Sequence, residues 1–159
     1  MAYLNFSFSG NPPDGRKGAP GDGACSGCHF GGTQTGSIAI EGITDNPLIP
    51  NKTYNVAVRI TLTSGISTRA GFQFVALDGN TNSAVSTGTY SNLGTNVGTG
   101  TSGSRTYAEH SGGENTYSSG DVLYTFDWTA PATATNNIAF YVAGNIANGS
   151  GTNLSLIHI

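Results

Sequence analysis

Apolar and polar residues alternate along several stretches of this chain with the two-residue period of a β-strand. The clearest stretch places Tyr54, Val56, Val58, Ile60 and Leu62 on one face. The same pattern recurs at Phe72 to Ala76, Val122 to Trp128 and Ile138 to Val142. Shorter candidates are Ile38 to Ile43, Ala84 to Tyr90 and Arg105 to Glu109. Helical periodicity is absent, so the pattern predicts an all-β fold in which each strand buries one face.

Turn residues divide these stretches and suggest how the chain is organised. Seven or so short strands separated by Gly, Asn and Asp are typical of an antiparallel β-sandwich, which we expect over residues 36–153. Residues 1–35 show no periodicity and predict an irregular loop segment packed on the sandwich. Residues 91–104 and 111–120 are almost entirely polar or glycine, and they predict long mobile loops.

Composition narrows the setting in which such a fold works. The chain has 159 residues, enough for one domain with a real core, and its 24 glycines with only 9% charged residues are typical of an extracellular all-β protein. The six Lys and Arg residues are scattered and the net charge is −3, which argues against a nucleic-acid partner. No apolar run approaches the ~20 residues that span a bilayer.

The last six residues have an unusual origin. Residues 154–159, Leu-Ser-Leu-Ile-His-Ile, are the translation of the transposon mosaic end used to prepare DNA for sequencing. We therefore expect them to be an adapter artefact in a metagenomic fragment. The natural chain is expected to continue beyond Asn153, with an export signal upstream of Ala2 and an anchor downstream.

The two cysteines carry the most specific chemistry. They lie in Cys25-Ser26-Gly27-Cys28-His29, the spacing that attaches c-type haem through two thioether bonds and one imidazole. A disulfide, a redox dithiol or half of a zinc site are the alternatives. Zinc lacks ligands, because only His110 and His158 remain, and a thioredoxin-like dithiol would need a βαβ context.

His110 becomes the candidate distal iron ligand by elimination. A six-coordinate haem needs a second axial ligand, normally Met or His, but Met1 is at the frayed start and His158 lies in the suspect tail. Cys25 and Cys28 would then anchor the haem c covalently, with His29 as the proximal and His110 as the distal ligand. This interpretation predicts a non-enzymatic, secreted or surface-attached monohaem cytochrome that exchanges electrons with a redox partner protein or an extracellular acceptor.

Several blocks of sequence also resemble a known family. They are Gly18-Ala19-Pro20, Cys25 with Cys28 and His29, Arg69 to Gln73, His110, Phe126 to Pro131 and Phe140 to Asn145. Together they resemble the reeler domain, and more closely the bacterial cell-surface relatives grouped as choice-of-anchor proteins.

The resemblance implies a reeler-like, immunoglobulin-like β-sandwich of an extracellular protein with an adhesive or ligand-binding role. Animal reeler domains lack the CxxCH motif. The second interpretation is therefore a non-haem adhesion or binding module in which Cys25 and Cys28 are oxidised to each other. Self-association is compatible with both interpretations.

Overall fold

The structure is a computed structural model and describes residues 11–15, 18–23, 34–65, 69–79, 85–111, 120–133 and 137–147. Eight β-strands lie within these ranges. They are β1 Thr35–Glu41, β2 Thr53–Ser64, β3 Arg69–Asp78, β4 Thr89–Ser91, β5 Val97–Ser102, β6 Arg105–His110, β7 Asp121–Thr129 and β8 Ile138–Ala147. The described ranges contain no helix, and hence none with the length and apolar character needed to cross a membrane.

The strands form two four-stranded sheets. The first sheet has the order β1-β2-β7-β4, and the second has the order β5-β6-β3-β8. Every pairing is antiparallel, and the longest registers join β2 to β7 and β3 to β8. The predicted all-β, antiparallel β-sandwich is therefore confirmed.

The core lies between the sheets and is rich in aromatic rings. Phe126 of β7 is fully buried, and its ring centroid lies 5.2 Å from that of Phe74 and 5.8 Å from that of Tyr90. The Trp128 ring meets Phe140 edge-on at 5.1 Å. Such tilted and edge-to-face pairs add about 0.5–1.5 kcal/mol to the free energy gained by burying the rings. The alternating apolar positions of the sequence are the residues that make these contacts.

The structure differs from the sequence-based expectation for residues 91–104. Residues 91–104 are predicted to form a mobile loop, but β5 lies inside this stretch and pairs with β6 across a turn at Gly103. A strand of Val, Gly, Thr and Ser carries too little apolar pattern to be recognised, and its partner strand supplies the hydrogen bonds that fix it. Of the strand expected over residues 84–90, the described residues form an isolated bridge at Ser86 and the first two residues of β4.

Replacing Phe126 by Ala tests the aromatic core. We expect the free energy of unfolding to fall by about 3–5 kcal/mol, because the deletion leaves a cavity among rings that cannot close over it. Leu123→Ala is the matched control, since Leu123 lies on the outward face of the same strand and is 47% exposed. It should cost less than ~1 kcal/mol in the same denaturant titration. Equal losses in the two variants would contradict this assignment of faces.

Candidate functional site

The outer face of the second sheet carries a groove that another part of the chain fills. Side chains alternate between the two faces of a strand, so Arg105, Tyr107 and Glu109 of β6 point outward while Ala108 points into the core. We call this surface the outer groove. It is formed by Arg105, Tyr107, Glu109, Gln73, Val75, Leu77 and Tyr141.

Residues 18–23, which we call the strap, fill the outer groove. The strap is a compact loop with its own backbone hydrogen bonds: the amide of Gly18 donates to the carbonyl of Gly23 at 2.9 Å, and the amide of Asp22 donates to the carbonyl of Ala19 at 2.8 Å. The backbone at Gly18 and Gly21 has φ values of 71° and 84°, which glycine adopts without the steric cost of a side chain. The sequence Gly-Ala-Pro-Gly-Asp-Gly therefore specifies the shape of this loop.

A small apolar cluster holds the first half of the strap. Ala19 is 2% exposed and packs with Val75, Leu77, Tyr107 and the half-buried Tyr141. This cluster lies on the opposite side of the sheet from the main core. The second sheet therefore has apolar contacts on both faces. In the described part of the chain, the first sheet covers its inner face, and no further sheet covers its outer face.

Arg105 holds the second half of the strap. Its Nη1 donates to Asp22 Oδ1 at 2.6 Å, and its Nη2 donates to the carbonyl oxygen of Pro20 at 2.6 Å. Both charged side chains are more than nine-tenths buried. The planar guanidinium can satisfy a carboxylate and a carbonyl at once, which a lysine ammonium on a flexible stem does less well. Arg105 therefore recognises both the charge and the backbone of the strap.

A second buried carboxyl group lies further along β6. The side chain of Glu109 is completely buried, and its Oε2 accepts a hydrogen bond from Gln73 Nε2 at 2.7 Å. Its Oε1 lies close to Asp14 Oδ1 above the Cα of Gly100, where a Cβ atom would overlap both oxygens. Neither of these two oxygens receives a hydrogen bond from the part of the chain that the structure describes. Two facing carboxyl oxygens repel each other unless a proton lies between them.

The pKa of the Glu109 carboxyl reflects this environment. It is raised to about 7, above all because burial penalises the charged form. Hydrogen bonds from Gln73 and Asn11 lower the pKa, and the negative charge of Asp14 raises it. Near neutral pH, Glu109 is therefore close to half protonated, and its protonated form can donate to Asp14.

His110 is the last residue of β6, and its side chain lies beside β3. It pairs with the core residue Val97 across the β5–β6 ladder, and its ring lies against Gly71, where a Cβ atom would meet the ring Cε1 at 2.6 Å. Its Nδ1 lies 3.2 Å from the backbone nitrogen and 3.3 Å from the carbonyl oxygen of Phe72, so it accepts from the first in one tautomer and donates to the second in the other.

The other predicted site residues, Cys25, Cys28 and His29, lie outside the described residues. Their roles in holding haem therefore stay predictions. In the described ranges, no group of three or more His, Cys, Asp or Glu side chains is arranged to hold a metal ion.

The residues that form the outer groove were only partly visible in the sequence. The pattern predicts a strand over Arg105 to Glu109, but Asp14 and Asp22 stand out only as dispersed acids in a loop. The alternation of Arg, Tyr and Glu along β6 placed these three side chains on one face, but such a polar face ordinarily lies in solvent. Nothing in the sequence indicated that the N-terminal loop covers this face.

Among the comparisons with known proteins, only the comparison with solved structures finds proteins similar to this chain. A structure of the human F-spondin reeler domain (fragment 1) has a TM-score of 0.44 and 17% identity, and the match covers 76% of this chain and 81% of that chain. A second structure of the domain (fragment 2) has a TM-score of 0.45 and 18% identity, covering 82% and 81% respectively. No protein-family model and no curated protein matches the chain.

The description of the chain as an electron-transferring c-type cytochrome is wrong. The solved structures similar to it are titled reeler domains. The described residues, which do not include Cys25, Cys28 or His29, contain no group of three or more His, Cys, Asp or Glu side chains that could hold a metal ion.

Replacing Arg105 by Ala should release the strap. The substitution leaves the buried Asp22 carboxylate without its guanidinium, and we expect the free energy of unfolding to fall by roughly 3 kcal/mol. Amide hydrogen exchange of the strap, followed by mass spectrometry, should accelerate while exchange in β7 stays slow. Arg59→Ala is the matched control, because Arg59 also pairs with two acids but is exposed. It should cost at most about 1 kcal/mol and leave the strap protected; strap release in this control would refute the assignment.

Glu109 makes stability depend on pH. A carboxyl whose folded pKa is raised from 4.5 to about 7 stabilises the fold fully below pH 4.5, and this contribution is lost as the pH rises through 7. Each unit of pKa corresponds to about 1.4 kcal/mol, so the loss is about 3 kcal/mol.

Glu109→Gln isolates this effect, because the amide oxygen can still accept from Gln73 while the amide nitrogen donates to Asp14 at every pH. The variant should match the wild type near pH 4.5 and exceed its unfolding free energy above pH 7 in denaturant titrations. The same pH profile in both proteins would show that Glu109 is not the titrating group.

Proposed function

We propose that the chain is a non-enzymatic binding module of an extracytoplasmic protein, with the outer groove as its recognition site. The single observation that carries the proposal is the buried fork of Arg105, which bonds a carboxylate and a backbone carbonyl of one loop at 2.6 Å each. Buried arginine forks of this kind are common where proteins recognise acidic groups specifically.

The chemistry of the groove defines what it accepts. The apolar floor around Val75 and Leu77 takes a small side chain such as alanine, since Ala19 is almost fully buried there. Arg105 then takes an acidic residue a few positions further along the loop. The ligand class is therefore a short, tightly turned peptide loop with a small apolar residue followed by an acid.

The remaining surface of the sandwich agrees with an extracytoplasmic module. The outer face of the first sheet carries polar side chains that bond one another, such as Asn55 to Asp127 at 3.0 Å and Thr53 to Thr129 at 2.8 Å. A face whose polar groups are already paired is well suited to solvent. In an oxidising extracytoplasmic setting, Cys25 and Cys28 are then proposed to form a disulfide with each other.

Export of the full chain to a periplasm that contains haem-attachment machinery tests the proposed function. We expect a colourless protein whose intact mass is lower than that of the reduced chain by the two hydrogen atoms lost in the disulfide. The Cys25→Ser/Cys28→Ser variant is the control, and reduction should leave its mass unchanged. A red protein that keeps its haem through acid-acetone extraction would overturn the proposal.

A further inference from the structure

The strap keeps its shape by its own hydrogen bonds. The amide of Gly23 donates to the carbonyl of Gly15 at 2.8 Å, and two further backbone bonds close the turn between Gly18 and Gly23. None of these three bonds uses a partner from the sheet. A preorganised loop loses little conformational entropy when it binds, so the same loop can be recognised in any chain that presents it.

The outer groove is likewise complete without the strap. Its recognising side chains come from β3, β6 and β8, and none of them lies on the strap itself. The contacts that β3, β6 and β8 make to Ala19, Pro20 and Asp22 are thus contacts that a strap from another chain would make equally. Exchange of an identical element between copies is a route to association that needs no new interface.

The connection between the strap and the sandwich is long enough for such an exchange. The strap ends at Gly23 and β1 begins at Thr35, so residues 24–34 join them. At the extended length of about 3.3–3.6 Å per residue, this connection can span up to roughly 40 Å. That distance exceeds the ~10 Å between two packed β-sheets several times over.

We propose that the outer groove accepts the strap of a second copy of this chain, so that the module makes homotypic contacts. The inference rests on the proposed function and names the partner of its recognition site. Within one chain, the tethered strap competes at an effective concentration in the millimolar range. Single copies in dilute solution therefore fill their own grooves, and exchange occurs where many copies are held close together.

Two single variants of the full chain remove this competition. Asp22→Ala disables the strap but keeps a native groove, whereas Arg105→Ala disables the groove but keeps a native strap. Each variant alone should be monomeric, with rapid amide exchange in its strap. When they are mixed, the native strap of the Arg105→Ala chain meets the native groove of the Asp22→Ala chain, and we expect a 1:1 dimer by light scattering.

Hydrogen exchange identifies which strap is bound in the mixture. The two strap peptides differ in mass at residue 22, so mass spectrometry follows them separately. Exchange should slow by roughly tenfold or more in the native strap of the Arg105→Ala chain and stay fast in the strap of the Asp22→Ala chain. The double variant Asp22→Ala/Arg105→Ala, mixed with Arg105→Ala, offers no native groove and should protect neither strap.

A synthetic peptide of residues 11–23 provides a measurement that does not depend on how well Arg105→Ala folds. Added to the Asp22→Ala chain, the native peptide should bind and the peptide with Asp22→Ala should not. Monomers in the mixture together with no binding of the native peptide would overturn the inference. The absorption spectrum of the same samples reports separately on the proposed function, because only haem-loaded protein is red.

Discussion

The alternation of side chains along β6 is the constraint on which the rest of this structure depends. Because successive residues of a strand face opposite sides, the six residues of β6 serve two environments at once. Ala108 faces the core, while Arg105, Tyr107 and Glu109 face outward, toward the strap and Asp14. A shift of one residue in register would place a guanidinium and a carboxyl group between the sheets and expose the core, so the aromatic core and the outer groove fix the same register.

The ionisable side chains buried on the outer face of the second sheet are stabilised in two different ways. Arg105 and Asp22 neutralise each other directly, and the guanidinium's remaining donors reach a carbonyl. Glu109 is not paired with a cation in the described part of the chain, and its neutrality depends on a proton. Both solutions avoid the several kcal/mol that an uncompensated buried charge would cost, and the second makes stability depend on pH near neutrality.

The sequence predicted those strands in which apolar and polar side chains alternate. The strands of Tyr54, Phe74 and Phe126 were recognisable because each repeats apolar side chains at every second position. β5 was not recognisable, because its outward glycines serve a tertiary purpose: Gly100 has no side chain where the oxygens of Asp14 and Glu109 meet. Likewise, the role predicted for His110 followed from elimination among histidines, and such reasoning contains no information on the backbone groups of β3 that the ring contacts.

The strands that form the outer groove also contribute residues to the core from their opposite face, and this has a consequence for specificity. Val75 faces the groove and its neighbour Phe74 faces the core, so substitutions at outward positions can change what is recognised without repacking the aromatic rings. The strap is separable for a matching reason, because its turn is closed by its own backbone bonds and by glycines with positive φ. Recognition then requires the fit of two preformed surfaces and little folding, which keeps the entropic cost of binding low. A groove and a loop that are each complete before they meet are the physical basis of the contact that we propose between separate copies of this chain.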